Sequence, residues 1–180
     1  MLTLSLLRHA KSAWGELGLD DYERGLAPRG LAAAPRMGRY LAAENLRPDL
    51  VLCSGAVRTR ATLALVLPEL RAPAPEIRYD DALYLASPIT MLDAVRRLGK
   101  GPRHVLMVAH NPGLHALALE LTGSGDRAAL ADLATKFPTA ALVVFTFSTA
   151  ATWSDIRPGT GRLERFVTPR SLREGLGFRG

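Results

Sequence analysis

The stretch LSLLRHAKSAW, residues 4–14, decides how this chain is read. Leu2 to Leu7 form an apolar strand-like run without a turn residue, and the run stops abruptly on Arg8-His9. A buried-type strand that delivers an arginine and a histidine at its C-terminal edge lies where open α/β sheets place their ligands. The same event recurs twice. HVLMVAHNPG, residues 104–113, is a second apolar run that ends in His110 before a helix start. DLVLCSGAVR, residues 49–58, ends at Ser54 and places Arg58 in the first turn of the next helix. Imidazoles and guanidiniums gathered at strand ends, with no carboxylate cluster beside them, suit an anionic phosphoryl group.

The bulk properties narrow the class. A chain of 180 residues with 48% hydrophobic content is expected to form one domain, residues 1–180, with a full core. The net charge of +6 comes almost wholly from arginine, since only three of the 23 basic residues are lysine. These charges are scattered rather than run together, so a solvated arginine-rich surface is expected and nucleic acid is not an expected partner. The single cysteine, Cys53, sits inside an apolar run and reads as a small core residue rather than a nucleophile. The early apolar run is too short for a signal segment, and no run reaches membrane-spanning length. A cytoplasmic protein with no membrane partner, acting as a monomer, is the resulting expectation.

The order of elements alternates between strand and helix. Strand one covers about 2–8, and a long polar connection, residues 10–27, follows it. Connections of that length over a strand edge carry function or short helical turns. Pro28 opens a helix to about Glu44, with Pro35 inside it removing one backbone bond. Strand two is PDLVLCS, helix two runs about 56–67 with Ser54 as candidate cap, and EIRYD is a short third strand. A helix near 87–98 ends at Gly99, RHVLMVA is strand four, and Asn111-Pro112 reads as the cap and first residue of the next helix. Residues 123–139 read as a connection with one short helix. ALVVFTFST and GRLERFVT then form two strands, the second patterned by Leu163 and Val167 against Glu164, and are expected as an antiparallel edge addition. The tail after Pro169 is expected to pack loosely. The pattern predicts an α/β three-layer sandwich, a mainly parallel central sheet with helices on both faces.

Each candidate residue has a plain structural alternative. Arg8 and His9 could simply end a strand at the surface, but a continuously apolar strand has no packing reason to stop on two cationic-capable groups. A neutral His9 can attack phosphorus through one nitrogen if a carbonyl or water holds the other. Arg58 in a first helical turn opposes the helix dipole, and a bound dianion would reverse that penalty. Arg60, two positions on, cannot share its face. His110 could merely cap the sheet edge, yet it parallels His9. A metal would require further ligands, and the arginines disfavour a cation, so no metal or other cofactor is expected. His104 lies at the far end of its strand, and His115 reads as a packing residue. Lys11, Ser12 and Asn111 are candidates for substrate contact because they follow directly on the strand ends. Trp14 reads as a packing residue over the site. Asp21 with Arg24 or Arg29 reads as an ion pair ordering the long connection. Tyr84 is either a residue at the pocket mouth or a core-edge tyrosine.

Arg8, His9, Arg58 and His110, in this order, resemble the histidine phosphatase superfamily, the phosphoglycerate mutase-like fold. LLRHAKSAW resembles its opening Arg-His signature, CSGAVRTRAT the segment with its second arginine, and VLMVAHNPG the segment with its second histidine. RHAKS, RGLAPRG, KFPTAAL and the short length are similar to the small bacterial phosphohistidine phosphatases. The resemblance spans about residues 2–170. It implies that His9 becomes transiently phosphorylated, that Arg8 and Arg58 clamp the phosphoryl oxygens, and that His110 stabilises the phosphoryl charge. It departs from mutases and many phosphomonoesterases at Gly15, where those have Asn, and in the connection after the third strand, where they carry an acid. ALYLAS offers Tyr84 there, with Asp80 and Asp81 just before it. An alkoxide needs a proton to leave, whereas imidazole, with a conjugate-acid pKa of about 6.5, leaves after easy protonation. The expected function is therefore a metal-independent phosphohistidine phosphatase acting on a phosphorylated protein. The alternative is a general phosphomonoesterase acting on a small metabolite, and a phosphate-binding protein with a relict site is the non-enzymatic option.

Overall fold

A computed structural model describes residues 1–14, 17–71 and 73–173. Gly15, the position of the expected Asn substitution, and the tail beyond Arg173 lie outside the described residues. The strands are β1 (Leu2–Arg8), β2 (Leu50–Cys53), β3 (Glu76–Tyr79), β4 (His104–Ala109), β5 (Thr122–Gly125), β6 (Leu142–Phe147) and β7 (Gly161–Val167). The helices are α1 (Pro28–Ala43), α2 (Val57–Val66), α3 (Pro88–Arg96), α4 (Gly113–Leu121), α5 (Arg127–Thr135) and α6 (Pro169–Arg173). One seven-stranded sheet runs in the order β3-β2-β4-β1-β6-β7-β5, and only β6 runs against the rest.

The strand patterning explains the two-sided core. Along β1, Leu2, Leu4 and Leu6 join one buried cluster while Leu7 joins the other. Val105 and Met107 of β4 face one side, and Leu106 and Val108 the other. Successive side chains alternate across a pleated strand, so an unbroken apolar run needs helices on both faces. Met37 and Leu41 of α1 and Leu63 of α2 cover one face; Met91 of α3 and Leu114 and Leu117 of α4 cover the opposite one. The chain moves outward from β1 to β2 to β3 with α1 and α2 on one side. It returns to β4 through α3 on the other side, which keeps each parallel crossover right-handed.

Most expected elements stand within a residue or two, and four expectations are corrected. The one short helix expected within residues 123–139 is α5, but the chain before it is not a plain connection: Thr122–Gly125 forms β5 at the sheet edge. The TGSG run has no apolar alternation, so its pairing with β7 leaves no mark in the sequence. Of the last two strands only β6 is antiparallel to its neighbours in the main sheet, and β7 is interior because β5 covers it. Leu163 and Val167 lie in opposite core clusters although their spacing is even. A register shift between β6 and β7 inserts one residue near Glu164 and flips the face. The helix caps also differ. Ala56 rather than Ser54 caps α2, and Pro112 caps α4, with Asn111 outside it. Both polar side chains are engaged elsewhere, as shown below. Pro35 is accommodated inside α1, where the carbonyl it leaves without an N–H belongs to exposed Leu31.

The long connection after β1 is pinned to the fold. Ser12 bridges to Leu26, the Ala27 amide donates to the Lys11 carbonyl, and Asp21–Glu23 forms a single helical turn capped by Asp20. Gly30 of α1 lets this connection lie against the helix, since a Cβ there would sit 2.2 Å from the Lys11 carbonyl oxygen. Replacing Gly30 by Ala must push backbone aside, and we expect a loss of about 1–3 kcal/mol in urea unfolding. An unchanged unfolding midpoint would show that the helix and the connection are not in close contact.

Candidate active site

The register of the parallel strands assembles the site. Arg8 is paired with Ala109 and Cys53 with Val108, so β1, β2 and β4 end side by side. His9 and His110 are the next residues, and their ring centroids are 5.2 Å apart. Arg58 arrives from the first turn of α2, which begins just beyond the end of β2. Arg8, His9, Arg58 and His110 thus line one cavity of about 390 Å³ at the C-terminal edge of the sheet.

The His9 ring is held in a defined state. Its Nδ1 lies 2.8 Å from the Ala10 carbonyl oxygen, which can only accept, so Nδ1 carries the proton and Nε2 keeps its lone pair. Burial first, then the charges of Arg58 and Arg8, push the His9 pKa down to about 4. The Ala10 amide is in turn held by Thr62 Oγ1 at 2.9 Å, tying the segment to α2. His110 lies 2.7 Å from Ser54 Oγ through Nε2, and its Nδ1 is buried without a partner. Its pKa is pushed down to about 3, again mainly by burial. Both rings are therefore neutral at physiological pH.

The two arginines, Arg58 buried and Arg8 half-buried, are cations with spare donors. Arg58 is 2% exposed. Its Nη1 donates to the Asp21 carbonyl at 2.6 Å, and its Nη2 to the Asp21 carboxylate at 3.0 Å. Arg8 Nη1 donates to the Phe137 carbonyl at 3.0 Å. Burial, followed by repulsion from Arg58, lowers the Arg8 pKa. The Nε of each arginine is buried and unpartnered. Such orphaned donors are costly unless a ligand completes them, and an oxyanion would complete both.

Asp21 is the residue whose role the sequence leaves unseen. Its carboxylate accepts from Tyr84 Oη at 2.5 Å, pairs with Arg24 at 2.7 Å and pairs with Arg58 at 3.0 Å. These donors, Tyr84 foremost, hold it far below the usual carboxylate range, so it is an anion and not a proton donor near neutrality. The expected Asp21–Arg24 pair is present, but the link to Arg58, 37 residues away, is tertiary. Asp80 caps the Ala82 amide, and Asp81 accepts from Tyr22 Oη at 2.6 Å. Neither lines the cavity. The Gly55 position is needed beside that pair, because a Cβ would sit 1.9 Å from Asp81.

The remaining candidates divide. Lys11, Ser12 and Asn111 line the cavity, together with Thr139 and Leu85, which sequence reasoning did not single out. Ser12 Oγ accepts from Arg24, and Asn111 Nδ2 donates to the Phe137 carbonyl at 2.9 Å, which is why it does not cap α4. Tyr84 packs edge-on to His110 at 5.4 Å and acts on the site through Asp21. Trp14 corrects the expectation of a packing residue: it is 87% exposed at the cavity mouth, with Lys11 Nζ 5.7 Å from its ring. Arg60 lies over Tyr79 rather than in the site. His104 meets Ser5 and His115 meets the Leu133 carbonyl, both away from the cavity. Cys53 is fully buried and its thiol is pushed up to about 12, which removes it as a nucleophile. Among the described residues, no group of three His, Cys, Asp or Glu side chains is placed to hold a metal, and no helix is long and apolar enough to cross a membrane.

Burial of neutral imidazoles makes stability depend on pH. His9 and His104 titrate near 4 and His110 near 3 when folded, against about 6.5 when unfolded. Between those values the unfolded chain binds more protons, so stability rises with pH through the window and is lost as pH falls from about 6.5 towards 4. Melting curves across that window should show a falling Tm, with a shallower fall for His9→Ala. Identical slopes for the two proteins would contradict a buried neutral His9.

Residues 4–84 match the histidine phosphatase superfamily (branch 1). An uncharacterised protein of Mycobacterium tuberculosis is 41% identical over 166 residues, covering 91% of this chain and all of the relative. A candidate phosphohistidine phosphatase SixA from Agrobacterium tumefaciens is 31% identical in its solved structure, with a TM-score of 0.77 over 93% of this chain and 99% of that one. Its counterpart from Nakamurella multipartitia is 28% identical, with a TM-score of 0.80 over 93% of this chain and 96% of that one. With the sheet order, the paired strand ends and these similarities together, the chain belongs to the histidine phosphatase superfamily.

Proposed function

We propose that this protein is a phosphohistidine phosphatase that removes phosphate from histidine-phosphorylated protein through a covalent phosphohistidine on His9. The observation that carries this reading is the state of Asp21. Among the described residues it is the only carboxylate lining the cavity, and Tyr84, Arg24 and Arg58 keep it ionised. Among its described residues the site therefore has a nucleophile and charge stabilisation but no strong acid for an alkoxide leaving group. The names of the two SixA proteins support the same substrate class.

In this mechanism His9 Nε2 attacks phosphorus while the bond from phosphorus to the substrate imidazole nitrogen breaks. The departing imidazole takes its proton from solvent, consistent with a conjugate-acid pKa of about 6.5. Arg8 and Arg58 donate to the phosphoryl oxygens and offset the charge that spreads over them. With Ser54 Oγ–H donating to Nε2 of His110, that ring carries its proton on Nδ1 and donates it to a third oxygen. Water then attacks the phosphorus on His9, the bond from phosphorus to Nε2 breaks, and inorganic phosphate leaves. The guanidiniums supply the positive charge, so we expect full activity in excess chelator; loss with chelator and recovery with one metal would contradict this.

His9→Ala should abolish turnover and leave no acid-labile phosphate on the protein after rapid quench. Label on another residue, or turnover without His9, would exclude the covalent route. Arg58→Ala should lower kcat/KM by the equivalent of about 2–5 kcal/mol, as expected when a buried charge partner is removed.

The substrate assignment is tested by leaving group. Phosphohistidine protein and aryl phosphates should turn over, with rates falling steeply as the leaving group becomes more basic, and phosphoserine and sugar phosphates should stay near background. Comparable turnover of a sugar phosphate and phosphohistidine protein would instead establish the metabolite phosphomonoesterase.

A further inference from the structure

A second, larger groove of about 690 Å³ adjoins the phosphoryl cavity and shares Lys11 and Thr139 with it. It is a trough between α1, the end of α5 and the β7–α6 corner. Among the described residues its lining cations are Lys11, Arg29, Arg36, Lys136, Arg170 and Arg173, against a single acidic residue, Asp132. Its apolar lining is Ala32 and Ala33 of α1 with Pro138 and Phe166. Arg29 and Arg36 are seven residues apart on α1, two turns that place them on one face with Ala33 between them.

Three of these cations are not committed to ion pairs within the described fold. Arg39, Arg58, Arg96 and Arg165 each have a carboxylate partner. Arg29, Arg36 and Lys136 are exposed and have no ion pair among the described residues. Like charges lining one trough repel one another, and an anionic ligand relieves that repulsion. A trough with a mixed apolar and cationic lining, adjoining the phosphoryl cavity at Lys11, fits an extended ligand that continues from the phosphate. A lone phosphate would occupy only part of the smaller cavity and leave the trough empty.

We propose that this groove docks an acidic segment of the substrate protein that flanks its phosphohistidine, and so selects among phosphoproteins. The proposal rests on the phosphohistidine reading above, and the two can fail separately. Salt bridges at an open rim act on encounter and selection more than on the chemical step, so the effect should fall on KM.

The test uses a synthetic peptide with one phosphohistidine among glutamates, its glutamine counterpart, and free phosphoramidate as a substrate without a flank. The variants are Arg29→Glu/Arg36→Glu/Lys136→Glu and the milder triple glutamine replacement, which keeps the surface polar should charge reversal disturb folding. The glutamate peptide should have a KM at least about tenfold below that of the glutamine peptide, and both variants should remove that advantage with kcat and phosphoramidate turnover unchanged. The unphosphorylated glutamate peptide should bind the wild-type protein in fluorescence anisotropy, weaken with salt, and fail to bind the charge-reversed variant. Equal KM values for the two peptides, or an equal loss on phosphoramidate, would overturn the groove assignment and leave the phosphatase reading standing. An RNA oligonucleotide that outcompetes the glutamate peptide would also overturn it. Glutamate-peptide binding that is lost on charge reversal, in a protein that hydrolyses no phosphohistidine substrate, would support the groove and defeat the activity reading.

Discussion

The site depends on the parallel pairing of β1 with β4. Because Arg8 lies opposite Ala109, the two histidines that follow are neighbours at one sheet edge. A slip of one residue would exchange the faces of β1 and place Thr3 and Ser5 where Leu2, Leu4 and Leu6 now pack, so the leucine face locks the register. The same hydrophobic constraint that builds the core therefore positions the imidazoles. Chemistry at this edge comes from where the apolar runs stop.

Electrostatics then shape what the edge can do. Arg8 and Arg58 are placed close enough to repel, in a region where burial already disfavours charge. One carboxylate, Asp21, answers Arg58 and is itself held by Tyr84 and Arg24. This offsets part of the cost of a buried guanidinium and of a cation at the start of α2. It also commits Asp21 to the ionised state, so the residue that holds Arg58 cannot serve as an acid. Neutral His9, with its proton fixed on Nδ1, completes a site rich in donors with a single free nucleophilic nitrogen.

The neighbouring trough extends the same logic outward. The smaller cavity holds Asp21, Arg24, Arg58 and Ser12 in one network of mutual hydrogen bonds and ion pairs. The trough beside it is larger, and Arg29, Arg36 and Lys136 in its lining have no ion pair among the described residues. A division between a tightly paired reaction site and an open charged surface lets recognition vary without disturbing the chemistry.

Much of this was legible in the linear sequence. The apolar runs 2–7, 50–53 and 105–109 have the length and continuity of strands buried on both faces, and the types of residue at their ends name an anion site. Proline and glycine punctuation places α1 and α3 closely. Local pattern could not reveal β5, because TGSG has no apolar face to pack and exists as a strand only through β7. Nor could it reveal the flipped faces of Leu163 and Val167, which follow from a bulge defined by the partner strand. Ser54 and Asn111 have the chemistry of helix caps, yet His110 and the Phe137 carbonyl claim their side chains. Asp21 reads as a partner for Arg24 three residues away, and only the fold brings Arg58 and Tyr84 to it. Burial periodicity and strand-end chemistry are local properties of the chain; hydrogen-bond partners and charge states belong to the three-dimensional arrangement that decides which groups compete for one another.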